Sequence, residues 1–305
     1  MTTAVSTIES GVSYRQGVAL VLMAGVCWSI VGLVVRLMEG ATGWQILFYR
    51  SLSLGLFLFL VLAIRSRGRP LHAFRRAGVS CLLGGLALVV AFCGSIFAIR
   101  NTSVANAMFL FATAPFMAAL LGLVILKESV RRATWMAMAV GGLGVALMVA
   151  EGLSLGHFLG NAAAVISALG FAFFAVALRW QHKEDMMPAV CLGGFFTAAI
   201  AGTIALAVGE GLAVSAYDLA LACALGLVQL GLGMTLFTYG SKAVPAAELA
   251  LLAMTEVLLG PVWVWLVLGE TAGPWTLVGG AVLMVAIAAN ALSGIRRKPP
   301  PIGAV

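Results

Sequence analysis

Charge is scarce in this chain: of 305 residues, 10% are Asp, Glu, Lys or Arg, whereas 62% are hydrophobic. Soluble domains carry about 25% charged residues, and none of this length hides so much apolar sequence from water. Histidine is limited to His72, His157 and His182, far apart and at the edges of apolar runs. That leaves no His/Glu metal spacing and no nucleophile–base pair, so an enzyme is not expected. There is no glycine-rich phosphate loop, which excludes ATP drive within the chain. The five cysteines, Cys27, Cys81, Cys93, Cys191 and Cys223, sit in apolar stretches without CxxC spacing. They read as small packing residues, and neither a metal nor a cofactor is expected.

Present instead are ten apolar stretches, at about 16–37, 43–64, 77–99, 103–126, 133–150, 155–178, 187–208, 217–241, 245–268 and 273–295. A bilayer span needs roughly 20 such residues. Helix is the only open-chain way to satisfy backbone groups in lipid, because barrels need alternating apolarity. The fold class expected is an all-α integral membrane protein. Most loops are very short, which makes consecutive helices antiparallel neighbours; the longest, Arg65–Arg76, is expected to be solvated and to lie on anionic headgroups.

The cations alternate between gaps. Arg15 precedes the first stretch, five arginines from Arg65 to Arg76 follow the second, and Lys127, Arg131 and Arg132 follow the fourth. Arg179 and Lys183, then Lys242, then Arg296, Arg297 and Lys298 follow the sixth, eighth and tenth. The tally is 15 on one side against Arg36 and Arg100 on the other, with Arg50 inside a span. Inner loops are the ones enriched in Lys and Arg, so both termini are expected in the cytoplasm. This orientation signal accounts for the net charge of +7, and nucleic acid is not an expected partner. The polar start Met1 to Ser13 precedes an apolar run too long for a signal-peptide core and is expected to be retained.

The chain also repeats. Sliding it by about 142 residues aligns Ile96–Glu128 with Thr238–Glu270 without a gap: Phe97 meets Tyr239, Arg100 meets Lys242, Thr113 meets Thr255, and Glu128 meets Glu270. Five spans per half is an odd number, so the second half enters the membrane from the opposite side. Such inverted repeats are a common plan of secondary transporters. Residues 16–150 form the first five-helix repeat and 155–295 the second, around a central cavity, with 1–15 and 296–305 as cytoplasmic tails.

The segments FAIRNTSVANAMFLFATAPFMAALLGLVILKE and FTYGSKAVPAAELALLAMTEVLLGPVWVWLVLGE carry an aromatic, a basic turn, small residues, a mid-helix proline and a closing acid. In this they resemble the two signature halves of the drug/metabolite transporter superfamily, EamA type. Trp28-Ser29 in span one and Arg50 in span two also look like the family pattern. Pro115 and Pro261 fall at slightly different heights, and span seven has no counterpart to Arg50, so the halves are not equivalent. The resemblance implies a bacterial inner-membrane transporter of small organic solutes, often an exporter of amino acids or related metabolites, with amino-acid exporters that accept aromatic substrates the nearest match.

Glu256 lies near the middle of span nine, where a charge costs roughly 2.5–3.5 kcal/mol on insertion scales. At 100° per residue it shares a stripe with Glu248, Leu252, Thr255, Leu259 and Trp263. The functional reading is a cavity wall on which Glu256 meets a substrate ammonium or carries a proton. The plain reading is a glutamate hydrogen-bonded to a neighbouring helix. Gln229, at mid-depth in span eight with Tyr239 to one side, is a substrate contact, a partner for Glu256, or helix–helix glue. Trp28 and Ser29 match the depth of Ser167, Phe171 and Phe174 in span six, and an aromatic wall would suit aromatic or cationic solutes. Arg50 pairs with an acid, snorkels, or binds a substrate carboxylate. The small series Ala133, Ala137, Gly141 permits close helix contact within a monomer or across a homodimer.

These features converge on a transporter working by alternating access, with proton drive and facilitated diffusion both compatible. The expected cargo is an aromatic or hydrophobic amino acid or related metabolite. The alternatives are an organic-cation, multidrug or nucleotide-related metabolite transporter of the same fold, or a non-transporting membrane scaffold.

Overall fold

A computed structural model of the chain describes residues 13–154, 156–180 and 185–295. The described backbone is helical, and no strand occurs among these residues. Spans one to five cover Tyr14–Leu37, Gly43–Arg65, Pro70–Asn101, Val104–Ile125 and Arg132–Ser154. Spans six to ten cover Phe158–Trp180, Met187–Ala207, Ala216–Gly240, Ala246–Leu268 and Pro274–Ile295. All ten contain a stretch long and apolar enough to cross a bilayer. Of the two expected tails, 1–12 and 296–305 lie outside the described residues. Residues 13–15 are helix start: Ser13 and Gln16 form a reciprocal capping box at the entry to span one, which satisfies two orphan N–H groups.

The stretch Arg65–Arg76 is not the single long loop expected. Pro70, which lacks an N–H and is preset for a first helical turn, starts a helix that runs to Ala77 and breaks at Gly78 (φ 65°, ψ −155°). Three other spans are interrupted in mid-course. Span one breaks at Ile30. Span four breaks at Ala112–Thr113, just ahead of Pro115, whose missing N–H cannot close the helical ladder. The centre of span eight, Leu225–Leu232, is wound as a π-helix. Pro261, by contrast, stays inside the continuous helix of span nine.

The spans pair across the two halves of the chain. The most extensive contacts join spans three and six, two and seven, and five and ten. Span one packs on spans eight and nine, and span six packs on spans three and four. Exchanging the halves maps each of these contacts onto another or onto itself. The same exchange relates single residues about 142 positions apart. A β-carbon on Gly17 would meet Ala243 at 2.8 Å and Val244 at 3.1 Å, and one on Gly160 would press into Asn101 and Thr102.

Glycine makes these seams close. A β-carbon on Gly94 of span three would fall 2.8 Å from the Ala163 carbonyl oxygen, and one on Gly170 of span six 2.7 Å from the Ala91 nitrogen. Gly144 and Gly279 face each other so closely that a β-carbon on either would collide with the other's carbonyl oxygen. Lipid tails are as apolar as leucine, so helices here associate by packing and polar contact, which rewards small residues. Large apolar side chains such as Val124, Leu143 and Leu159 point outward, each more than two-thirds exposed.

The seam has a built-in control. A β-carbon on Gly142 meets nothing within 4 Å. Gly144→Ala is expected to destabilise the protein by about 1–3 kcal/mol through overpacking. Gly142→Ala should stabilise it by roughly 0.5–1 kcal/mol through helix propensity. Thermal unfolding of the two variants in detergent checks the opposite signs.

Candidate functional site

A cavity of about 260 Å³ lies between the halves. Most of its wall comes from spans one, three, four, six, eight and nine; spans two, seven and ten add Arg50, Val190 and Ile287. The lining is apolar and rich in flexible or aromatic side chains, including Trp28, Phe92, Phe111, Phe171, Met108 and Met254. Into this apolar enclosure project one cation, Arg50, one carboxylate, Glu256, and one amide, Gln229.

Half of the polar atoms left without partners in the buried interior belong to this wall. Among the described residues, eight buried side-chain nitrogen or oxygen atoms lack a hydrogen-bond partner. Four of them are Trp28 Nε1, Arg50 Nε and Nη1, and Gln229 Oε1, all on cavity-lining residues. Buried polar groups are nearly always paired, so a cluster of exceptions calls for an explanation. Their convergence on one cavity fits a surface shaped for a polar solute.

Local structure brings these groups there. Gln229 sits within the π-helical turn of span eight, and such segments occur often at functional sites because they displace side chains from their α-helical positions. Trp28 stands two residues before the break in span one, with its ring 5.3 Å from that of Phe237. Arg50 is 3% exposed and holds its guanidinium carbon 5.3 Å from the centre of the Phe92 ring.

Other residues singled out from the sequence lie elsewhere. The stripe on span nine splits. Glu256 faces the cavity together with Ala253, Met254 and Val257, whereas its companions turn to span one. Glu248 accepts a hydrogen bond from the Tyr14 hydroxyl at 2.7 Å. Thr255 packs where a β-carbon on Gly25 would touch it at 3.2 Å. Trp263 donates its Nε1–H to Ser29 Oγ at 2.9 Å, and Ser29 in turn donates to the Val26 carbonyl at 2.7 Å. The physical reason is angular. Glu256 is the edge of that quarter-turn stripe, about 80° round from Glu248, so a neighbouring helix covers the rest and leaves it uncovered.

Tyr239 is 38% exposed and sits at the end of span eight. Its ring lies 5.9 Å from the Arg65 guanidinium and 5.7 Å from the Lys242 ammonium. Ser167 and Phe171 reach the cavity, while Phe174 is buried and not part of its lining. No hydrogen bond joins Gln229 to Glu256, and Arg50 has no ion pair among the described residues. Asn106, near the start of span four, donates to Thr102 and to Asn161, tying span four to span six.

Three ion pairs went unread in the sequence: Arg65–Asp185 at 3.3 Å, and two that the repeat relates to each other. Arg36 at the end of span one meets Glu270 after span nine at 2.8 Å. Arg179 at the end of span six meets Glu128 after span four at 2.9 Å. An offset of about 142 carries one pair onto the other, so they close opposite faces of the bundle. The signal was available: the shift that aligned Glu128 with Glu270 also aligns Arg36 with Arg179. Each joins one repeat to the other. They are not equally sheltered, for the first pair is 26% and 24% exposed and the second 45% and 47%. Glu270 also accepts from the Val104 N–H at 2.8 Å.

The model of the EamA-like transporter family matches residues 15–150 and 156–292. An uncharacterized transporter of Helicobacter pylori is 24% identical over 268 residues, covering 84% of this chain and 87% of its own. One from Archaeoglobus fulgidus is 27% identical over 289 residues, covering 90% and 95%. A pseudopaline exporter of Pseudomonas aeruginosa is 26% identical over 288 residues, covering 89% and 94%. A crystal structure superposes with a TM-score of 0.64 at 20% identity, covering 94% of this chain and all of its own; this likeness concerns the fold.

The two ion pairs differ enough to be ranked. Glu270→Gln weakens a sheltered pair and the charged acceptor of a backbone N–H, with an expected loss of about 1–2 kcal/mol after allowance for partial exposure. Glu128→Gln breaks the more exposed pair and should cost less than about 1 kcal/mol. Thermal unfolding of the two variants under the same detergent and salt tests that order.

Proposed function

The chain belongs to the EamA-like transporter family, and on that premise we propose that it exports amino acids with aromatic or hydrophobic side chains, or related metabolites, by alternating access. The observation that carries this reading is the central cavity, apolar and aromatic in its walls yet holding the mid-membrane carboxylate of Glu256. An ammonium is attracted both to a carboxylate and to an aromatic face, and Trp28 and Phe171 line the same space. The solute's apolar part packs against Met108, Met254 and Phe111, whose shapes adapt to more than one cargo. Pseudomonas aeruginosa's pseudopaline exporter, similar over most of its length, supports the outward direction.

Alternating access requires contacts that separate on one face while they hold on the other. The Arg36–Glu270 and Arg179–Glu128 pairs have the positions such contacts need, because each bridges the two halves near one end of the cavity. Opening toward the Arg36 side parts the first pair, and opening toward the Arg179 side parts the second. The broken middles of spans one and four give these helices places to bend without losing further backbone hydrogen bonds. Interrupted helices at the midplane are the usual surroundings of a transporter's binding site.

The cation distribution supports a multi-pass protein of the bacterial inner membrane with both termini in the cytoplasm. In that orientation Arg36–Glu270 is the outer pair and Arg179–Glu128 the inner one. A fluorescent protein fused to Val305 should fluoresce, and alkaline phosphatase fused there should stay inactive; the reverse pattern would invert this assignment.

Transport itself is measured by counterflow in liposomes with labelled amino acids, nucleosides and quaternary cations. Exchange should be strongest for hydrophobic and aromatic amino acids. Glu256→Gln is expected to lower that exchange at least tenfold and to flatten its dependence on pH. Unchanged exchange and an unchanged pH profile would remove Glu256 from the mechanism. Flux with and without an imposed pH gradient separates proton coupling from facilitated diffusion.

A further inference from the structure

Arg50 is a cation without a carboxylate. It is 3% exposed, yet its Nε and Nη1 atoms have no hydrogen-bond acceptor. The Phe92 ring centre lies 5.3 Å from its guanidinium carbon, a face that attracts a cation but satisfies no N–H donor. A guanidinium stays protonated in proteins and presents five N–H groups in a fixed fork. Burying such a group without a matching acceptor is among the most costly arrangements a protein can hold.

The acids of the spans do not supply that acceptor. Glu270 is held by Arg36, Glu128 by Arg179 and Asp185 by Arg65. Glu248 accepts from Tyr14, Glu151 caps the start of span ten through Trp275 and Thr276, and Asp218 accepts from the Glu39 and Gly40 N–H groups. Glu210 accepts from Thr42. Among the described residues that leaves Glu39, exposed beyond the end of span one, and Glu256, which lines the same cavity but makes no ion pair with Arg50. By helix rise, Arg50 lies roughly 10 Å below its end of span two, whereas Glu256 lies roughly 18 Å below the corresponding end of span nine. The two charges therefore stand at different depths of one chamber.

We infer that Arg50 is the carboxylate subsite of this cavity: it takes the acid group of the solute on its guanidinium while the amine end faces Glu256. The inference rests on the transporter reading above and deepens it by naming the second chemical group that cargo must carry. A planar guanidinium matches a carboxylate with two parallel N–H···O bonds. A single arginine in an otherwise apolar, Phe92-backed wall suits one negative charge better than the two or more of a phosphate monoester. The position also orders the site. The carboxylate lies nearer the Arg36–Glu270 face, and the amine lies deeper. Quaternary cations, which offer no acid, leave Arg50 unanswered and are poor cargo on this account.

The test uses matched solutes that differ in one group: phenylalanine, phenethylamine (no carboxylate) and phenylpropanoate (no amine). In wild-type proteoliposomes, phenylalanine should exchange at least tenfold faster than phenethylamine. In Arg50→Gln the phenylalanine rate should fall at least tenfold while phenethylamine is unchanged or faster. Arg50→Lys, which keeps the charge but not the fork, should recover part of the phenylalanine rate. Equal losses for both solutes in Arg50→Gln would make Arg50 a structural cation and overturn the inference. If Arg50→Gln does not fold, thermal shifts of the wild-type protein decide: phenylalanine and phenylpropanoate should stabilise it and phenethylamine should not. The reverse order would sink the carboxylate assignment. Failure of the transporter reading has a different signature, the absence of exchange for all three solutes in the wild type.

Discussion

Inside a bilayer the hydrophobic effect does not push one helix against another, because lipid is as good a neighbour for a leucine as another leucine is. What remains is contact so close that dispersion is gained over long seams, together with polar groups that find each other. The rest of this structure depends on that constraint. Gly94 and Gly170, and Gly144 and Gly279, bring backbones together where any side chain would hold them apart. Polar fasteners are then placed at the ends of the same pairs. Glu151 takes the N–H groups of Trp275 and Thr276 at the start of span ten. At the other end of that helix pair, Asn290 receives hydrogen bonds from Thr134 of span five and from Arg131 just before it. The seams fix helix positions at the periphery, and the space they do not fill is the central cavity.

The frame is nearly symmetric, but its lining is not. Where span one presents Trp28, the matching position of span six is Phe171, and both reach the cavity. Where span two presents Arg50, the match in span seven is Gly193, which packs against Leu88. Where span nine presents Glu256, the match in span four is Ala114. One repeat contributes the cation and the other the carboxylate. A symmetric lining would place two arginines and two glutamates in one apolar chamber, where they would neutralise each other in pairs and leave nothing to hold a solute. Asymmetry in the side chains is laid over symmetry in the backbone, so the cavity wall is not self-complementary.

The fold was legible because its cause is compositional. Ten runs of apolar residues, separated by short loops with alternating cations, leave few architectures open. The family resemblance rests on the same repeated segments. The candidate cavity was legible in part. Glu256 stands out because a carboxylate at mid-depth is costly, and cost is visible in one letter. Its companions misled for a geometric reason: Thr255, Trp263 and Glu248 share its stripe, but which edge of a stripe meets a neighbouring helix is decided by packing. The π-helical turn that carries Gln229 has no sequence signature that periodicity would catch. Arg36 and Arg179 were counted as loop cations. Their pairing with Glu270 and Glu128 joins residues separated by 234 and 51 positions, contacts that no local pattern reports.

The twin ion pairs differ in shelter, and screening by salt acts on that difference. Dissolved ions shorten electrostatic reach to about 8 Å at physiological strength and about 3 Å at 1 M, and they act most strongly on pairs that water can enter. In the proposed orientation the more exposed pair, Arg179–Glu128, faces a cytoplasm whose ionic strength the cell regulates. The better covered pair, Arg36–Glu270, faces a medium that the cell does not control. The outer closure is thus the one less able to register a change in salinity. Salt therefore reaches the two ends of the bundle unequally, and the better insulated pair is the one on the side where the weather changes.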